Sequence, residues 1–256
     1  MMIALTHVVS PHIDRCELSF RDRSPINYDR AVRQHENYCG LLKDCGLEVI
    51  ELSVNRSYPD ATFIEDTAVV LEEIAVMASM GVESRRGEVR GVESVLANYR
   101  DITHIEAPAT LEGGDVLRIQ GRIFVGISPR TNLAGFNSLE TILAPFGYQV
   151  IPLTVNGCLH LKSACIAIDD DTLLVNPSWL DLQPVKDFRI VPIPEDEPYA
   201  VNALRINSTI YMHSGFPKTT KLLQSLGYSV KTMDISELIK AEAGMTCSSI
   251  IFEHPV

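Results

Sequence analysis

Cys247, in the stretch GMTCSS, is a candidate nucleophile, and His160 in LHLKSA and Glu112 in LEGGD are the residue types that would activate it. A free thiol is only a few per cent thiolate at neutral pH, so it needs a base or a positive neighbour. An imidazole supplies either, and a carboxylate orients and charges the imidazole. Cys247, His160 and Glu112 are then a triad by role rather than by order in the chain. Three further acids, Asp60 in SYPDATF and Glu65 and Asp66 in FIED, argue against a peptide carbonyl as target, because they would repel its developing oxyanion. They suit a guanidinium, whose N–H groups a carboxylate accepts bidentately while the planar central carbon stays open to a thiolate. Arg85 in ESRRGE and Arg130 in SPRTN would pair with an α-carboxylate, which makes the ligand an arginine-type amino acid.

Each of these residues taken singly has a plain structural explanation. Cys247 could be core filling, His160 a satisfied core or surface histidine, Glu65 and Asp66 a solvated turn, and Arg85 and Arg130 helix-face charges. EGGD could be a turn in which Gly-Gly supplies positive φ. A repeat brings them together. LLKDCGLEVIEL (41–52), ILAPFGYQVIPL (142–153) and LLQSLGYSVKTM (222–233) each read as a helix end, a glycine and a strand, and YRDITHIEAP (99–108) and VKDFRIVPIP (185–194) fill the remaining slots. Hairpin-like pairs of β-rich runs lie at 67–79, 115–128, 164–178 and 203–215, and helical patterns at 28–46, 84–100, 130–147 and 218–227.

The last run, SSIIFE (248–253), has no second strand of its own, and the N-terminal MIALTHVVS (2–10) is its natural partner. The prediction is one α/β domain over 1–256, a ring of five strand-strand-helix-strand modules closed by pairing of about 2–10 with about 248–253. An open α/β sheet with accidental similarity is the alternative. Glu65, Glu112, His160, Asn202 and Cys247 recur at intervals of 47, 48, 42 and 45 at the start of each hairpin, so the ring gathers them around one end of its axis.

The chain is 256 residues long with 46% hydrophobic residues and a formal net charge of −11. That charge argues against nucleic acid and anionic membrane surfaces and favours a cationic small molecule. No run approaches the roughly 18 apolar residues of a membrane span, and MMIALTHVVSPHIDR lacks a basic leader region, so a cytoplasmic protein is expected. The six cysteines (16, 39, 45, 158, 165 and 247) show no CxxC pair and no metal-finger spacing. Oligomeric state is not encoded legibly, and a homodimer stays open.

FIED with the upstream YPD, ESRRGE, EGGD, SPRTN, LHLKSA and MTCSS together resemble the signatures of the dimethylarginine dimethylaminohydrolases in the guanidino-group-modifying, or pentein, superfamily. They occur in the expected order over nearly the whole chain. The resemblance implies a five-bladed pseudo-symmetric α/β propeller in which Cys247 is the nucleophile, His160 the general acid/base and Glu112 its partner. It implies that Asp66, with Glu65 nearby, holds the guanidinium, Asp60 the α-amino end, and Arg85 and Arg130 the α-carboxylate. Leu18, in CELSF, matches a lid-loop residue, and the backbone at Ala241 matches a further ligand contact. The implied reaction hydrolyses an Nω-methylated arginine to citrulline and dimethylamine or methylamine through a covalent thiouronium, with no metal or organic cofactor.

Two departures bear on substrate. Arginine deiminases of the superfamily carry a carboxylate two residues after the histidine, where this chain has Lys162 in HLKS, which favours a substituted guanidinium. AEAGMTC places Glu242 and Ala243 where the family commonly has Asp-Gly, so the lid and the preferred N-substituent are open. The alternatives are a deiminase or amidinotransferase acting on another guanidino compound, and a non-catalytic protein that binds arginine derivatives. A zinc site at Cys247, His160 and Glu112 has suitable ligand types, but nothing in the sequence requires it.

Overall fold

Every stretch read as a hairpin followed by a later strand folds into its own three-stranded sheet in the computed structural model, which describes residues 1–254. The chain opens with strand β1 (Met2–His7), helix α1 (Tyr28–Asp44) and β2 (Glu48–Leu52). The next module is β3 (Ala68–Val70), β4 (Ile74–Met77), α2 (Glu88–Leu96) and β5 (Asp101–His104). The third is β6 (Val116–Ile119), β7 (Arg122–Ile127), α3 (Leu133–Leu143) and β8 (Gln149–Thr154). In the fourth, a one-turn helix α4 (Leu161–Ala164) precedes β9 (Cys165–Ala167), β10 (Thr172–Val175) and β11 (Arg189–Pro192). Its crossover carries only the 3₁₀ turn Gln183–Val185 where the other modules have an α-helix. The fifth is β12 (Leu204–Ile206), β13 (Thr209–His213), α5 (Pro217–Ser225) and β14 (Ser229–Met233), after which α6 (Ser236–Ile239) leads to β15 (Ile250–Glu253).

Four sheets have the inner strand antiparallel to the middle one and the middle one parallel to the outer. The remaining sheet is built from both ends of the chain. β15 pairs antiparallel with β1, with Leu5 opposite Ile250 and Ile3 opposite Phe252, and β1 runs parallel to β2. The repeat glycines Gly46, Gly147 and Gly227 take φ of 86°, 78° and 91°, the left-handed geometry that turns a helix end into the outer strand.

The middle strands are buried on both faces, and their alternation shows why five sheets make a ring. Ile3 and Leu5 point into one hydrophobic cluster with Ala75 and Met77 of the second module, while Ala4 points into another with Leu204 and Tyr211 of the fifth. Val76 faces Ile123 and Val125 of the third module, whose Phe124 faces Leu173 and Val175 of the fourth, whose Leu174 faces Ile210 and Met212 of the fifth. One cluster sits at each of the five junctions and the cycle closes, giving the five-bladed α/β propeller. Among the described residues no helix is long and apolar enough to cross a membrane.

The inner strands β3, β6, β12 and β15 line an axial cavity of about 380 Å³. Glu65 and Lys162 border both this cavity and a second pocket at the other end of the axis. The candidate residues gather around that second pocket.

Candidate active site

The residues just ahead of the inner strands form the pocket. Glu65 and Asp66 lie in the 3₁₀ turn Ile64–Thr67 that runs into β3, Glu112 immediately precedes the turn Gly113–Asp115 before β6, and His160 immediately precedes α4 before β9. Glu65, Asp66 and His160 line one pocket with Asn202, Cys247, Asp60, Arg85, Arg130 and Ala241, and Glu112 stands fully buried behind His160. The repeat-equivalent positions therefore do meet.

At the centre, His160 Nε2 is 2.7 Å from Glu112 Oε2 and its Nδ1 faces Asp66 Oδ1 at 3.7 Å. Burial disfavours a charged imidazole, but Asp66, Asp115 and Glu112 together outweigh it and raise the His160 pKa to about 9. Burial likewise opposes ionisation of Asp66 and Glu112. The positive charge of His160, with Arg85 beside it, holds both carboxyls below their ordinary range. The Cys247 thiol is pushed up to about 12, first by burial and then by Glu65 and Asp66. Its Sγ accepts the Gly244 N–H at 3.3 Å and lies 3.9 Å from Asn202 Nδ2. The acids of the pocket thus favour the protonated forms of both the imidazole and the thiol.

Gly113 and Gly114 serve this geometry by close approach. Neither takes positive φ. A Cβ on Gly114 would stand 2.7 Å from Asp66 Oδ1 and 2.8 Å from His160 Nδ1, and one on Gly113 would stand 2.1 Å from the Glu65 carbonyl. Only glycine lets the loop carrying Glu112 pass between the acids and the imidazole.

Several residues differ from their expected setting. Both Glu65 oxygens are engaged, Oε1 by Lys162 Nζ at 2.7 Å and Oε2 by the Thr246 hydroxyl at 2.6 Å. Glu65 therefore plugs the floor between pocket and axial cavity, and Asp66 is left as the carboxylate facing the centre. Arg85 and Arg130 are buried in the pocket wall rather than standing as helix-face charges, at 2% and 3% exposure. Their burial is matched by acids. Arg85 donates to Asp66 at 2.7 Å and to Glu88 at 2.9 Å, and Arg130 donates to Glu112 at 3.5 Å. Arg85 also donates to the Phe63 carbonyl, so Arg130 keeps the larger share of its N–H groups for a ligand.

Asp60 and Glu242 fasten the lid through backbone donors that the sequence does not single out. Leu18 packs its side chain against the cluster containing Ala241 and Met245, and its neighbour Glu17 lines the pocket. Both Asp60 oxygens accept the Glu17 N–H at 3.2 Å. The Glu242 carboxylate accepts three consecutive backbone N–H groups, from Ser19 at 3.0 Å and from Phe20 and Arg21 at 2.5 Å each. Arg21 also stacks on the Tyr199 ring at 3.8 Å. Glu242 holds this position at φ 60°, a strained geometry for a residue with a side chain. Beneath the lid the pocket encloses about 20 Å³, room for one water.

Sequence reading also missed Asp115, which is buried and accepts from Ser128 Oγ at 2.6 Å and Leu161 N–H at 2.8 Å. Burial raises its carboxyl to about 6, and its charge supports the imidazolium of His160. Asp66, Glu112 and His160 each offer an atom within 4.8 Å of the others, which is close enough for a metal ion. Those atoms already have cationic or N–H partners in Arg85, Arg130, Gly114 and each other.

A family model described as N,N dimethylarginine dimethylhydrolase, eukaryotic, matches residues 8–189. The N(G),N(G)-dimethylarginine dimethylaminohydrolase of Streptomyces coelicolor is 35% identical over 96% of this chain and 95% of its own length. The enzyme of that name from Pseudomonas aeruginosa is 32% identical over 88% and 90%. A solved structure of the Pseudomonas aeruginosa protein, a cysteine-to-serine variant complexed with citrulline, superposes with a TM-score of 0.91 at 30% identity, covering 97% of this chain and 98% of that one. A dimethylarginine dimethylaminohydrolase adduct with S-methyl-L-thiocitrulline superposes at 0.92 with 29% identity, covering 98% and 100%. Fold, length and sequence agree over the whole propeller, and the chain belongs to the dimethylarginine dimethylaminohydrolase family.

Proposed function

We propose that the chain hydrolyses Nω-methylated arginines to citrulline and a methylated amine, with Cys247 as nucleophile, His160 as general acid/base and Glu112 as its partner. The observation that carries this reading is one buried pocket that gathers the Cys247 thiol, the Glu112-bonded His160 imidazole and several carboxylates. Burial is the first cause that keeps the Cys247 proton on, and Asp66, which adds to it, is the carboxylate a guanidinium neutralises. An incoming cation set against Asp66 therefore lowers the thiol pKa at the moment the nucleophile is needed, and the proton leaves to solvent.

The thiolate attacks the guanidinium carbon to give a neutral tetrahedral adduct. His160 passes its proton to the substituted nitrogen, the C–N bond breaks, and dimethylamine departs from a Cys247 thiouronium. Neutral His160 then takes a proton from water, the hydroxide adds to the same carbon, and the C–S bond breaks. The new hydroxyl gives its proton to the departing sulfur, so citrulline and the Cys247 thiol are released. Glu112 and Asp66 keep the imidazole oriented and charged for the first proton transfer. Arg130 and Arg85 serve the α-carboxylate and Asp60 the α-amino group, with Glu17, Leu18 and Ala241 closing over the ligand. An arginine-sized ligand does not fit beneath the closed lid, so segment 17–23 opens in each cycle.

Lys162 favours a methylated substrate over arginine itself. It occupies Glu65 and puts a cation beside the guanidinium position where a deiminase would offer a second acid. The test is to assay citrulline and amine release from asymmetric dimethylarginine, monomethylarginine and arginine. Turnover of the methylated compounds, with arginine unused, supports this reading. Turnover of arginine alone replaces it with a deiminase, and tight binding without turnover replaces it with a binding protein.

A further inference from the structure

We propose that His35, Cys39 and Glu51 form a binding site for a zinc-class divalent cation on the flank of the sheet β15-β1-β2. None of the three lines the active-site pocket. His35 and Cys39 are one turn apart on α1 and so share a face, and Glu51 rises from the adjacent strand β2. Their ligating atoms form a near-equilateral triangle. His35 Nε2 is 3.4 Å from Glu51 Oε1 and 3.5 Å from Cys39 Sγ, and that Sγ is 3.8 Å from Glu51 Oε1. Around a tetrahedral zinc with bonds of about 2.0–2.3 Å, nitrogen, sulfur and oxygen ligands stand about 3.3–3.6 Å apart.

A hydrogen bond explains this triangle poorly. The same pair of groups in the catalytic pocket, His160 and Glu112, closes to 2.7 Å around a shared proton. At His35 the carboxylate stays beyond the usual N–H···O range of about 2.7–3.2 Å, while Cys39 Sγ at 3.5 Å stands at ordinary N···S contact distance. One proton on Nε2 cannot serve two acceptors well, whereas one cation at the centre serves all three. His35 Nδ1 is buried with no partner, so the ring is oriented from its Nε2 side. The ligand types, one imidazole, one thiolate and one carboxylate, are those of zinc and its cobalt substitute.

Access and coordination number also fit. His35 is 2% exposed and Glu51 44%, so the carboxylate edge faces solvent, from which a water completes the tetrahedron. Thr6 Oγ1, 3.8 Å from Cys39 Sγ, closes the opposite side. Binding forms the metal–sulfur and metal–nitrogen bonds as the Cys39 proton and the proton on His35 Nε2 leave to solvent, and no electron is transferred. The bound cation would clamp α1 onto β2. The clamp adjoins the nucleophile segment, because Tyr38 lies beside Cys39 and its hydroxyl is 2.7 Å from Ser249 Oγ.

Cobalt(II) titration of the full-length Cys247→Ser protein tests the site without interference from the catalytic thiol. The expected result is a thiolate-to-cobalt charge-transfer band with the intense visible bands of four-coordinate cobalt, saturating at one equivalent and displaced by zinc. Adding Cys39→Ser should abolish the charge-transfer band. Adding Glu51→Gln, at a half-exposed position that leaves folding intact, should weaken binding by at least about tenfold. Absence of the band in the parent, its survival in the Cys39→Ser variant, or unchanged affinity in the Glu51→Gln variant would each overturn the proposal.

Discussion

His160 Nε2 and Glu112 Oε2 share a proton across 2.7 Å, with both side chains shut off from solvent at 5% and 0% exposure. The pair fixes one face of the imidazole and, with Asp66, keeps the ring cationic where burial alone would strip its proton. Glu112→Gln keeps the volume and removes the charge. It should lower kcat by about 10²-fold or more with a smaller change in KM. The His160 pKa, followed by NMR of the ring, should fall from about 9. A variant with parental kcat and an unmoved ring titration would show that Glu112 plays no part.

The Cys247 thiol is held protonated by burial and by Glu65 and Asp66. Its pKa is raised, so reactivity belongs to the alkaline side and is lost as pH falls. Alkylation by a small neutral haloacetamide should rise about tenfold per pH unit between about pH 6 and 9 with no plateau. Asp66→Asn removes a negative neighbour and should speed alkylation at fixed pH. A plateau near neutrality in the parent would mean a preformed thiolate.

Glu242 ties down the lid at Ser19, Phe20 and Arg21 while sitting at φ 60°. Glu242→Gly relieves the backbone and removes the anchor. Hydrogen exchange at those three amides should accelerate, and KM should rise by about tenfold, the scale of losing hydrogen bonds to a charged acceptor. Unchanged exchange would show that the anchor does not hold the loop in solution.

Gly114→Ala puts a methyl group against Asp66 and His160, neither of which can retreat without breaking its pairing with Arg85 or Glu112. It should cost about 10²-fold in kcat by displacing reacting groups through a fraction of an ångström. Near-parental activity would show that the loop relaxes at little cost.

Repetition made the fold and the candidate site legible. Each blade spends its alternating apolar residues on two junctions, so the strand pattern and the left-handed Gly46, Gly147 and Gly227 recur. The residue ahead of each inner strand must then face the axis, whatever its type. Partnerships between distant segments were hidden. Glu242 meets backbone donors more than two hundred residues away, which carry no side-chain signature. Lys162 signalled only a missing acid, yet its place is on Glu65. The Gly113–Gly114 pair resembles any turn, because a need for space looks the same in sequence as a need for positive φ. Arg85 with Glu88 could have been found, since the two stand three apart at a helix start and each is buried only because the other is.

The central claim is that the guanidinium carbon becomes bonded to Cys247. Acid-quenching the protein during turnover of asymmetric dimethylarginine and mapping the adduct by peptide mass spectrometry tests it directly. The account predicts a substrate-derived thiouronium on the peptide containing Cys247, lacking dimethylamine, and no citrulline from Cys247→Ser. Citrulline production by Cys247→Ser at the parental rate, or steady turnover with an adduct at any other residue, would contradict it.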